Sequence, residues 1–92
     1  MKIRLILPVL CGPSTVIRAK LEKCQDARAK PEQGRFLLLP DCGRREILNV
    51  TPAVGGVSYA VDLTPLRARD EEHFAAQMDI LNRAGWKAIQ SA

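Results

Sequence analysis

Aromatic side chains are scarce in this chain: two phenylalanines, one tyrosine and one tryptophan among 92 residues. A surface that stacks successive bases needs several exposed rings. Phe36, Tyr59, Phe74 and Trp86, three of them expected on core faces, give such a platform little support. Histidine occurs once, and Cys11, Cys24 and Cys42 lack the close paired spacing that preorganises a zinc site around His73. An odd number of cysteines among aliphatic and turn residues argues against a secreted disulfide framework and for a reducing, cytoplasmic compartment. No apolar run approaches the roughly 20 residues that span a bilayer. The short run after Lys2 and Arg4 is broken by Pro8 and reaches Gly12 without a small-residue cleavage pattern. Neither a membrane, a metal nor a cofactor is therefore expected.

What is present is an ordinary globular composition, 47% hydrophobic and 26% charged, enough to build one core. Residues 1–92 read as a single compact domain, without a linker, repeat or low-complexity segment. The net charge of +4 is uneven: Met1 to Arg35 carries eight basic and three acidic residues, Asp70 to Ala92 two basic and four acidic. An acidic partner for the amino-terminal part follows from that asymmetry.

Ile3, Leu5, Leu7 and Val9 alternate along a first strand, and Pro8, which has no amide hydrogen, places that strand at an edge or near its end. Ser14 reads as the N-cap of a helix to about Arg28, with Ile17, Leu21 and Cys24 as its apolar stripe. Phe36 to Leu39 is a short apolar strand, turned by Pro40-Asp41-Cys42-Gly43 into a second strand over Arg44 to Val50. Val57, Tyr59, Val61 and Leu63 alternate inward on the next strand. A helix then opens at Asp70, or earlier with Thr64 as cap and Pro65 as first residue; Phe74, Met78 and Leu81 share one of its faces, and Trp86 to Ile89 adds an optional last strand. The predicted class is α+β: a small antiparallel sheet of four to five strands with two helices on one face. Its order is β-α-β-β-β-α, a variant of the split βαβ sandwich.

Cys11-Gly12-Pro13-Ser14 places a thiol between a strand and a helix start, where amides and the dipole stabilise a thiolate. It resembles the Cys-Gly-Pro-Cys loop of thioredoxins with Ser14 in place of the second cysteine. The resemblance covers these four residues and implies a monothiol redox role for Cys11. No tryptophan precedes Cys11, and Thr51-Pro52 runs into Gly55-Gly56 instead of a proline-led strand. The segment is also similar to the Cys-x5-Arg loop of thiol phosphatases, but Arg18 follows Cys11 with six intervening residues. One extra residue turns the arginine by roughly 100° on a helix. The acids Asp70, Glu71 and Glu72 lie where a helix start favours them.

Three functions are thus in competition. The leading expectation is a non-enzymatic interaction protein that binds a larger protein or multi-subunit complex through its sheet surface or a basic edge, in the manner of phage-borne inhibitors of host assemblies. The alternative is sequence-tolerant nucleic-acid binding. Both draw on Lys2, Arg4, Arg35, Arg44 and Arg45 as the basic surface. Trp86 either seals the core or anchors an interface, and a homodimer through an edge strand is compatible with the pattern. Thiol chemistry at Cys11 is the third.

Overall fold

The computed structural model describes residues 1–89. β1 (Lys2–Cys11) and β2 (Ala19–Asp26) form an antiparallel pair, as do β3 (Phe36–Leu39) and β4 (Gly43–Pro52). β5 (Tyr59–Leu63), β6 (Leu66–Ala68), α1 (Glu71–Arg83) and β7 (Lys87–Ala88) follow. The sheet runs β3-β4-β5-β1-β2-β7, with β6 also against β1. β5 and β6 lie parallel to β1, so the sheet is mixed.

Among the described residues the expected fold is corrected on each count: seven strands replace four or five, mixed pairing replaces antiparallel, and one helix replaces two. The segment read as a first helix is the loop 12–18 followed by β2. A four-residue repeat such as Arg18, Glu22 and Asp26 is close to one helical turn, but it is also two strand periods, so the spacing serves both structures. Long-range pairing decides between them: Leu21 sits opposite Leu7, and both are fully buried. Thr15, Val16 and Ile17 are β-branched and poor at starting a helix. Ser14 Oγ accepts the Val16 N–H at 3.1 Å, closing a local turn with the bond that a cap would use.

Pro8 does not mark an edge either, because β1 is the central strand. Met1 and Ala27 exchange backbone hydrogen bonds at 3.0 and 2.7 Å, which sets the odd residues of β1 bonding to β2 and the even ones toward β5 and β6. Between Ile6↔Asp62 and Val9↔Leu66 the partner chain advances one residue more than β1. Pro8, with no N–H to donate, faces that interruption at Thr64-Pro65, and β1 continues past it to Cys11.

Ile3, Leu5, Leu7 and Val9 point into the core with Leu21, Ile47, Val61 and Leu63. α1 adds Leu81, with Phe74 and Met78 half-buried on the same stripe. Its start is fixed by Asp70, whose carboxylate accepts the His73 N–H at 2.8 Å, while His73 Nδ1 accepts the Arg69 N–H at 2.9 Å. His73 is thereby engaged in the helix start. Among the described residues no helix is long and apolar enough to cross a membrane.

Candidate functional site

The five basic residues singled out from sequence do not form one edge. The ladder aligns Thr51 of β4 with Ala60 of β5 and Arg4 of β1. Arg44 lies seven residues along β4 from Thr51, roughly 20 Å at the rise of a strand. Four of the five also have local partners. Arg4 Nε is 3.8 Å from Glu22, and Arg35 donates to Glu32 at 3.1 Å. The Arg44 guanidinium lies 4.0 Å from the centre of the Phe36 ring, and Arg45 donates to the Pro65 carbonyl at 2.8 Å. Lys2 is exposed at the start of β1.

Cys11 does end a strand beside Arg18, but a carboxylate lies between them. Arg18 grips Glu71 with two hydrogen bonds of 2.7 Å, and the Cys11 thiol donates to the same carboxylate at 3.4 Å. Glu71 thus fills the seat that an external anion would take. Partial desolvation, then the Glu71 hydrogen bond and charge, push the Cys11 thiol above its ordinary range, against the lowering by Arg18. The two hydrogen bonds from Arg18, followed by that from Cys11, hold the Glu71 carboxyl below its ordinary range. This is the electrostatics of a resting thiol, the reverse of what an activated nucleophile requires. Arg67 donates to the Gly12 and Ser14 carbonyls, so the Cys-Gly-Pro-Ser loop is held from β6 as well.

Trp86 is 2% exposed, and its indole N–H donates to Asp41 at 3.1 Å. It seals the core, the first of the two roles left open by the sequence. Lys23 of β2 also reaches Asp41, at 3.2 Å. Asp41 belongs to the β3–β4 turn, so these bonds bring that hairpin round to β2, three strands away from β4 in the sheet, and curl the sheet toward a barrel.

The curl stops short of closure. Below the Asp41 contacts a groove of about 460 Å³ opens between the end of β2 and β3. Ile3, Leu37 and Ile47 line it on one side, and Arg28, Lys30 and Pro31 of the following connector lie along it. Its size is that of a ligand or peptide site. The Lys30 ammonium rests 5.3 Å from the Tyr59 ring centre, and neither Arg28 nor Lys30 has a carboxylate within salt-bridge distance among the described residues.

β3 has β4 as its one strand partner among the described residues. Ile47 N–H donates to the Arg35 carbonyl at 2.8 Å, which assigns the odd residues of β3 to pairing with β4 and turns the backbone groups of Phe36 and Leu38 to the free side. The two residues are 51% and 83% exposed. Sequence reasoning identified the strand without separating an inner from an outer face. The available signal was its unbroken apolar run beside Arg44 and Arg45, which gives no inside and outside by alternation. Arg28 and Lys30 are not among the basic residues singled out from sequence, where Arg28 reads as the end of a helix. Among the described residues no group of three or more potential metal ligands occurs. No protein-family model matches the chain, and no curated protein or solved structure matches it at a significant level.

Proposed function

We propose that this chain is a non-enzymatic interaction protein that binds a larger protein or protein complex through the free edge of β3. The observation that carries this reading is the outer edge of β3, unpaired among the described residues, with Phe36 and Leu38 standing exposed beside it. Edge strands in stable proteins are normally short, charged or covered, and an exposed apolar one is a template for another chain. β3 is short, yet four consecutive apolar residues give it no charge of its own. The three free cysteines suit a reducing, cytoplasmic setting.

Nucleic-acid binding draws less support. Arg4 and Arg44 lie far apart along the strands, and four of its five cations are engaged locally. The thiol reading meets a cysteine whose proton is held in place by Glu71.

The test is purification of tagged protein from its source cells at two salt concentrations, with nuclease treatment in parallel. A stoichiometric protein partner that survives both, and that is lost from the folded variants Phe36→Asp and Leu38→Asp, supports the reading. Capture undiminished in both variants removes the β3 edge from it, and recovery of nucleic acid that salt releases turns the assignment to the alternative.

A further inference from the structure

The groove beside β3 is bounded by a second strand edge. The Met1–Ala27 pairing sets the odd residues of β2 bonding to β1, so the backbone groups of Cys24 and Asp26 point the other way. β7 pairs with β2 at Leu21 and Glu22, with the Ile89 N–H donating to the Lys20 carbonyl, and does not extend to Lys23. Among the described residues, β2 beyond Glu22 and β3 are therefore both unpaired on their outer sides, and Gln25, Asp26, Phe36 and Leu37 line the same groove. The gap lies between the two outer strand edges of one curled sheet. The Asp41 contacts with Lys23 and Trp86 close it at one end.

We infer that the groove takes an extended, acidic segment of a partner protein, which adds as a strand to the free edge of β3. This rests on the protein-binding reading above and names the element that the partner supplies. Extended backbone is the one ligand that answers a row of free N–H and C=O groups spaced as Phe36 and Leu38 are. An added strand turns alternate side chains to opposite faces. One set meets the apolar wall of Ile3, Leu37 and Ile47, and the other faces the connector. That connector sets the charge: Arg28, Lys30 and Arg35 stand against Asp26 and Glu32, and Glu32 is already tied to Arg35. Arg28 and Lys30 then outnumber Asp26, with no carboxylate within salt-bridge distance of either among the described residues, and leave net positive charge for the carboxylates of the incoming strand.

The probe is a fluorescent seven-residue peptide of alternating valine and glutamate, titrated into the intact protein with backbone NMR of the protein in parallel. Saturable binding with Kd below about 1 mM is expected, with shifts at Phe36 to Leu39 and Cys24 to Asp26. N-methylation of every second peptide amide abolishes binding. Leu38→Pro, which deletes an outward N–H and none that pairs with β4, lowers affinity at least tenfold, as does Arg28→Glu with Lys30→Glu. Absence of binding, equal binding of an alternating valine and lysine peptide, or shifts confined to other strands would overturn the inference. So would a dimer in sedimentation that Leu38→Pro dissolves, since the edge then belongs to a second copy. Loss of a cellular partner from Leu38→Asp together with failure of the peptide leaves the protein-binding reading intact and removes only the strand-addition model.

Discussion

The Trp86 indole donates to Asp41, linking a residue that follows α1 to the tip of a hairpin 45 positions earlier. Lys23 converges on the same oxygen, Oδ2. The Asp41 side chain is only 16% exposed, so it cannot be removed without leaving a buried indole donor and a largely covered ammonium unanswered. Asp41→Ala is expected to cost about 2–3 kcal/mol in urea unfolding. Asp41→Asn, which keeps a neutral acceptor, is expected to cost roughly half as much. Equal stability of all three proteins would show that the curl does not depend on this contact.

Arg44 and Arg45 are adjacent in sequence but point to different tasks. Arg45 supplies the hydrogen bond to the Pro65 carbonyl at the break between β5 and β6, whereas Arg44 lies over Phe36 on the exposed side. Arg45→Glu should therefore destabilise the domain by about 1 kcal/mol, and Arg44→Glu should leave stability within about 0.5 kcal/mol. Thermal unfolding of the two variants separates the roles. A larger loss from Arg44→Glu would contradict the assignment.

Leu81 is the fully buried residue of α1, packed in the same cluster as Trp86. Leu81→Ala is expected to cost about 2–4 kcal/mol, the transfer loss plus the cavity left in a small core. Ile80, half exposed on the neighbouring stripe, should tolerate alanine within about 1 kcal/mol. Chemical denaturation of both variants checks the helix orientation.

The parts of this fold that sequence conveys are those decided locally. Strict alternation in β1 and β5 and the acid-rich start of α1 each name one structure, and each is found. The β3–β4 turn is likewise local, with Gly43 at φ +74° where few other residues are comfortable. What sequence does not convey is decided by partners distant in the chain. β2 is a strand because Leu21 meets Leu7, and Pro8 lies mid-sheet because the one-residue break at Thr64-Pro65 faces it. The basic residues fail to gather for the same reason, since a strand register separates Arg4 from Arg44. The groove is legible only after the curl is known, because its walls come from β1, β2, β3, β4 and a connector.

The Glu71 carboxylate ties Cys11 and Arg18 to the first turn of α1, and its effect on each has a defined sign. Because Arg18 holds the Glu71 carboxyl below 4.5, the stabilisation from this contact is complete above that pH and is lost as pH falls through the lower folded value. The urea midpoints of wild type and Glu71→Gln should accordingly converge on acidification from pH 6 to about pH 3. Cys11 behaves oppositely. Its thiol is raised above 9.0, so its contribution is present below that value and lost as pH rises through the folded one. Iodoacetamide labelling of Cys11, resolved from Cys24 and Cys42 by mass spectrometry, should be slow at neutral pH with an inflection above 9.0. In Glu71→Gln the carboxylate charge is gone while Arg18 remains, so labelling should accelerate severalfold and its inflection move down. Fast labelling of the wild type with an inflection near neutrality would restore Cys11 as a nucleophile and remove the resting-thiol assignment.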